Sequence, residues 1–136
     1  DEIGYNYRLP NINAALGCAQ LEQLPALLAD KRRVFGKYKA ALTGIQQVSL
    51  VAEPKSCTSN YWLQTLLLDE SVASQRDVIL AATNDVGLMT RPAWVAMHRL
   101  TIYHDCPIMP LTVAESLERR LINIPSSAAL GLEHTK

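Results

Sequence analysis

The chain has 136 residues, with 13 Lys or Arg balanced by 13 Asp or Glu, so its formal net charge at pH 7 is zero. That balance supplies no bulk field for nucleic acid or a membrane surface, and leaves a small anion held by one or two placed arginines as the charged ligand class still open. At 49% apolar residues the chain is expected to fold as one domain with a modest core, yet no uninterrupted apolar run approaches the ~18 residues of a membrane span.

The elements follow in chain order. Ile12, Ala15, Leu16 and Ala19 recur at three-and-four spacing, with Asn11 or Asn13 placed to cap a first helix that ends near Leu24. Pro25 marks either a kink or the first turn of a new helix. Leu27, Leu28, Val34, Phe35, Tyr38, Ala41 and Leu42 then form one apolar stripe, and Gly44 stops it. Asp30, Lys31, Arg32, Arg33, Lys37 and Lys39 load the other faces, a pattern that reads as a solvated surface. Alternation over Val48, Leu50 and Ala52 predicts a strand, and the aromatic and aliphatic run Asn60 to Leu68 predicts another, with a loop at 54–59 between them. Ser74 with Asp77 resembles a capping box opening a helix that stops near Gly87. Leu88 to Arg91 reads as a short strand at an edge or end, because Pro92 cannot donate to a ladder. Thr112 with Glu115 predicts a further capped helix through Arg120, followed by a strand Leu121 to Ile124. The expected fold is α+β: a small antiparallel or mixed sheet covered by helices, preceded by a long helix or kinked helix pair.

Cys18, Cys57 and Cys106 are an odd number without paired short spacing, which suggests neither a disulfide framework nor a zinc site and fits a reducing cytoplasm. No complete catalytic constellation is visible. His98, His104 and Cys106 permit a metal set or a His/Asp or Cys/His pair with Asp105 on paper, and so a small hydrolase or metal enzyme; an ordinary polar loop accounts for the same segment. The glycines are scattered and form no phosphate loop. The opening is more specific. Asn6 and Arg8 stand just before a helix amino terminus, where backbone donors favour an anion, and Tyr5 and Tyr7 can pack beside a planar ring or act as a hydrophobic staple.

The run Gly4-Tyr5-Asn6-Tyr7-Arg8-Leu9-Pro10, with Ala14-Ala15-Leu16-Gly17 and Gln20-Leu21, resembles the motif opening the carboxy-terminal part of the DegT/DnrJ/EryC1/StrS family of pyridoxal-phosphate-dependent nucleotide-sugar aminotransferases. The likeness continues through Gly87-Leu88-Met89-Thr90-Arg91-Pro92-Ala93-Trp94 to Arg120-Leu121-Ile122-Asn123-Ile124-Pro125-Ser126-Ser127. The Thr-Arg-Pro-x-Trp variant is similar to members acting on amino-dideoxyhexose precursors, including those of the legionaminic acid type.

The resemblance implies residues 1–131 as the small carboxy-terminal domain of a fold-type I aminotransferase, divided into a helical lead-in (1–43) and an α+β part (44–131), with 132–136 as a tail. It implies transfer of an amino group from glutamate to a nucleotide-linked keto sugar for surface polysaccharides. The cofactor lysine is then expected in an amino-terminal domain absent from this chain, so the chain alone is expected inactive, without bound pyridoxal phosphate. By residue match, Asn6 contacts the cofactor phosphate across a homodimer, and Arg8 stands beside it at the cofactor site, supporting that loop or facing the substrate phosphate. Tyr5, Tyr61 and Arg91 face the sugar nucleotide, the last at its diphosphate, while Trp94 and Tyr103 pack around the loop. No His stands near Asn60, Tyr61 and Trp62, where other members present a His or Tyr to the substrate. The bare apolar face of Ile12 to Leu24 is expected to drive self-association or docking on the missing domain, and a stand-alone binding or dimerisation module remains the alternative.

Overall fold

A single helix, α1 (Asn11–Ala41, 31 residues), leads the chain in the computed structural model, which describes residues 2–4 and 8–131. Pro25 does not open a new helix: α1 runs through it as one element. The bond forfeited there is to the carbonyl of Leu21, on an exposed stretch where water can take the freed acceptor. Neither Asn11 nor Asn13 caps the helix. Pro10, in an extended conformation, holds the cap position, and its carbonyl accepts the Ala14 N–H at 3.0 Å.

The two halves of α1 differ. Val34 is buried and Phe35, Tyr38 and Leu42 are half-buried, whereas Ile12, Leu16 and Leu21 remain 83%, 62% and 65% exposed. The basic run of the second half is exposed along most of its length, as read, and three of its cations also bond to the rest of the chain. The Lys31 ammonium donates to the Trp62 carbonyl at 3.1 Å and to that of Ser126, and Arg32 donates to the Ser59 carbonyl at 2.8 Å. Lys37 donates to the carbonyls of Leu130 and Gly131, and the Tyr38 hydroxyl donates to that of Pro125 at 2.9 Å. Strand ends and loops leave carbonyls without ladder partners, and the helix supplies the donors.

Four strands, β1 (Val48–Leu50), β2 (Gln64–Leu68), β3 (Arg91–Pro92) and β4 (Leu121–Ile124), form one antiparallel sheet in the order β1-β2-β4-β3. Leu68, Ile122 and Ile124 make its buried centre, packed by Tyr38 from α1 and by Ile79 and Leu80 from α2 (Arg76–Asp85). The reverse face carries Thr65, Asn123 and Arg91 in one cross-strand row, set by the pairings Thr65 with Asn123 and Asn123 with Arg91. β4 has the bounds expected from sequence, and Pro92 lies in an edge strand. The strand expected at 60–68 begins only at Gln64. Ser59 Oγ accepts the Tyr61 N–H and Asn60 Oδ1 accepts the Trp62 N–H, which turns the backbone and places Tyr61 at φ +46°.

The side-chain caps also differ from expectation. Asp69 caps a 3₁₀ turn (Glu70–Gln75) ahead of α2 by accepting from the Ser71 N–H and hydroxyl, and Asp77 pairs with Arg76 rather than boxing with Ser74. In α3 (Thr112–Arg120) Thr112 makes no cap, because the helix starts one residue earlier than read: Leu111 holds the cap position and its carbonyl accepts the Glu115 N–H at 2.9 Å, while the Glu115 carboxylate meets His98 and Arg99. Gly87 stops α2 at φ +80° as read from the sequence.

Two glycines, Gly131 packed on α1 and Gly36 within it, respond oppositely to alanine. A Cβ on Gly131 would sit 2.5 Å from the Asp30 carbonyl oxygen, whereas one on Gly36, within the helix, meets nothing within 4 Å. Gly131→Ala is expected to cost about 1–3 kcal/mol and Gly36→Ala to add about 0.5–1 kcal/mol. Thermal denaturation of the two variants beside the parent chain checks both signs.

Candidate functional site

A hollow of about 520 Å³ opens where the chain enters β2 and leaves β3. Trp62, Arg91, Pro92, Trp94 and Asn123 are among its lining residues, and no carboxylate contributes to it. The two indoles lie against each other with centroids 6.2 Å apart and planes at 27°, yet stay 64% and 70% exposed. Arg91 is exposed and has no hydrogen-bond or ion-pair partner among the described residues. A cation beside flat apolar faces, without a competing carboxylate, is suited to an anionic ligand with a planar or ring-shaped part.

A second cluster holds the approach to this hollow. Arg32 grips Glu53 through two parallel bonds of 2.9 and 3.2 Å, and Glu53 also accepts the Ser59 N–H at 2.6 Å. The Arg32 hydrogen bonds, followed by the Ser59 N–H, hold the Glu53 carboxyl below the usual carboxylate range. The guanidinium carbon stands 5.4 Å from the Tyr61 ring centroid, and that ring stacks on Phe35 at 4.3 Å.

The residues singled out in the sequence fall into different places. Tyr5 and Asn6 lie outside the described residues. Arg8, exposed at φ +118°, has no ion-pair partner among them. Tyr61 is only 6% exposed: its ring is enclosed by Phe35 and Arg32, and its hydroxyl accepts the Glu53 N–H at 3.4 Å, while the following residue, Trp62, faces the hollow. Arg91 lines the hollow as an available cation. Trp94, read as packing, instead presents most of its surface. The pairing of Trp62 with Trp94 escaped sequence reasoning. Its signal was that the only two tryptophans of the chain each sit beside a turn or strand end. His98 Nε2 meets Glu115 at 3.1 Å and His104 Nδ1 meets Asp105 at 2.9 Å, so the structure does not gather His98, His104 and Cys106 into one cluster; among the described residues no group of three or more His, Cys, Asp or Glu is placed to hold a metal. No described helix is long and apolar enough to cross a membrane.

A long lead helix followed by a four-stranded antiparallel sheet with helices is the architecture of part of the sugar aminotransferases. The structure aligns with PseC of Helicobacter pylori, an aminotransferase involved in the biosynthesis of pseudoaminic acid, at a TM-score of 0.81 and 22% identity, over 96% of this chain and 35% of that one. The chain belongs to the DegT/DnrJ/EryC1/StrS aminotransferase family, whose model matches residues 1–136. It is 35% identical over 133 residues to the GDP-perosamine synthase of Escherichia coli O157:H7, covering 98% of this chain and 35% of that protein. It is also 34% identical to EpsN of Bacillus subtilis, which bears the name of a pyridoxal phosphate-dependent aminotransferase, covering 93% of this chain and 33% of EpsN. The chain thus spans about a third of the length of the curated relatives it matches.

The depressed Glu53 gives the cluster a defined pH response. A carboxyl whose folded pKa lies below its unfolded value contributes stability that is full above the ordinary carboxylate range and is lost as pH falls through the folded value. The 53–61 loop is therefore expected to loosen in acid, below the ordinary range, with a change in tryptophan emission as Trp62 is released. Glu53→Gln should remove that acid step from the emission profile.

Proposed function

We propose that the chain is the carboxy-terminal small domain of a pyridoxal-phosphate-dependent aminotransferase that moves an amino group from glutamate to a keto sugar carried on a nucleotide diphosphate. The observation that carries this reading is the family match along the whole chain, combined with a span of only a third of the relatives. The relatives' names support the substrate class, since GDP-perosamine synthase names a nucleotide-linked amino sugar.

The described residues do not fit the cofactor by themselves. No lysine lines the hollow, and the ammonium groups of Lys31 and Lys37 are bonded to backbone carbonyls. In this reading the lysine that binds the cofactor covalently belongs to the part of the protein that corresponds to the relatives' remaining length, and no chemical step is routed through this domain. Its own work is binding and orientation. Asn6 reaches the cofactor phosphate of a partner subunit, Arg8 supports that loop, and Tyr5 and Arg91 face the sugar nucleotide; Asn6, Arg8 and Tyr5 rest on the motif match, and Arg91 also on its place in the hollow. Tyr61 acts behind them, positioning Trp62. The exposed apolar half of α1, with Ile12, Leu16, Leu21 and Leu24, is the surface that meets the cofactor domain or the second subunit.

A chimera tests the assignment. Replacing the corresponding third of the E. coli O157:H7 GDP-perosamine synthase with this chain is expected to preserve amino transfer from glutamate, followed as 2-oxoglutarate released. Asn6→Ala in that chimera should weaken cofactor retention by about tenfold, the value of one hydrogen bond to a charged group. A chimera that folds and holds pyridoxal phosphate but transfers no amino group would count against the reading.

A further inference from the structure

We propose that the open edge of the sheet at β1 pairs antiparallel with β1 of a second copy of this chain, joining two four-stranded sheets into one of eight strands. The pairing is independent of the aminotransferase reading and uses a surface other than the exposed half of α1, since Leu24 lies nearly five turns, roughly 25 Å, before the helix end at Ala41 next to β1.

The ladder fixes which backbone groups are free. The Asp69 N–H donates to the Gln47 carbonyl and the Val51 N–H to the Thr65 carbonyl, each at 2.9 Å, so in the register of β1 with β2 the odd-numbered residues of β1 bond inward. Val48 and Leu50 therefore turn their N–H and C=O groups outward, where no described group bonds to them. The two edges of the sheet differ in this respect. β3 is two residues long and ends in Pro92, which has no N–H to offer. β1 has no such guard: residues 40–52 contain neither a charge nor a proline, and the pairing with β2 runs without a bulge. A strand without charge repels no copy of itself.

One register uses all the open groups of this three-residue strand. With Ser49 opposite Ser49 of the second copy, Val48 exchanges N–H···O bonds with the other Leu50, and Leu50 with the other Val48, about a two-fold axis. The side chains agree with that register. Val48 and Leu50 are half-buried against the core cluster, and the pairing sets one across from the other, so the two apolar faces become continuous. On the reverse face Val51, 46% exposed, comes to lie across from Gln47 and gains cover. Because β3 is guarded, the joined sheet does not extend at its outer ends, and assembly stops at two copies instead of running on as a fibre. So short a strand makes a weak, concentration-dependent contact.

Leu16→Glu with Leu21→Glu, both on the exposed half of α1, silences association through that helix. Sedimentation of this variant from micromolar to millimolar concentration is expected to show a monomer–dimer equilibrium. Ser49→Lys and Ser49→Glu, at an exposed position, place like charges across the axis, and each is expected to weaken the dimer about fivefold. An equimolar mixture of the two should recover the parent affinity, which misfolded variants would not do. With Cys18, Cys57 and Cys106 replaced by serine, Ser49→Cys is expected to form an intermolecular disulfide under mild oxidation, because the facing Cα atoms stand about 4.5 Å apart. Val51→Cys, opposite Gln47 of the second copy, should cross-link roughly tenfold less. A monomer up to millimolar concentration overturns the proposal. So does equal cross-linking from positions 49 and 51, a mixture of charge variants no tighter than either alone, or growth beyond the dimer.

Discussion

Unpaired carbonyls at one end of the sheet are the constraint on which the rest of this structure depends. β2 starts at Gln64 and β4 ends at Ile124, and these two residues are cross-strand partners, so the chain enters and leaves the sheet at the same end. The carbonyls of Trp62, Pro125 and Ser126 lie just beyond the ladder there. Lys31 and Tyr38, two turns apart on one face of α1, donate to all three. Burial holds the Lys31 ammonium below its ordinary pKa, which is the electrostatic cost of placing a cation at that junction. Without these donors the three carbonyls would be left without a partner at the junction, and the seat of the helix on this end of the sheet would lose its polar half.

The direction of the loop after residue 59 decides which aromatic residue faces in and which faces out. At Tyr61 the backbone adopts a left-handed conformation, stabilised by Ser59 and Asn60 accepting successive N–H groups. A non-glycine residue pays conformational strain for such a φ, typically about 1–3 kcal/mol. The ring recovers stability by stacking on Phe35 under the Arg32 guanidinium. Trp62 is thereby turned toward Trp94 and Arg91, so helix, turn and hollow form one mechanical unit.

Periodic features were readable from the sequence and partner choices were not. The stripe through Val34 and Tyr38, the β4 strand, the edge position of Pro92 and the stop at Gly87 all follow from spacing or from backbone chemistry local to the residue. The capping boxes at Ser74 and Thr112 are also local patterns, but neither residue takes a cap position: Ser74 falls inside the 3₁₀ turn and Leu111 stands ahead of Thr112, leaving Asp77 to pair with Arg76 and Glu115 with His98 and Arg99. The basic run at 31–37 is mostly exposed, as read, but the acceptors that Lys31 and Lys37 find were not legible, since they arrive from far along the chain. In the candidate site Arg91 was readable as an available cation. The indole pair was not, because its members lie on separate elements and no local period links them. The opening motif carried the family likeness, which the match over the whole chain bears out.

The clasp of Lys37 on Gly131 joins residues 94 positions apart. Contacts of such separation form late, because the intervening chain must first be ordered enough to bring its ends together. During synthesis α1 therefore leaves the ribosome long before the carbonyls that will hold it exist, with its apolar stripe and its cations both unmatched. The helix waits for residues 125–131 to emerge, and in that interval its unmatched faces are open to a chaperone or to another nascent copy.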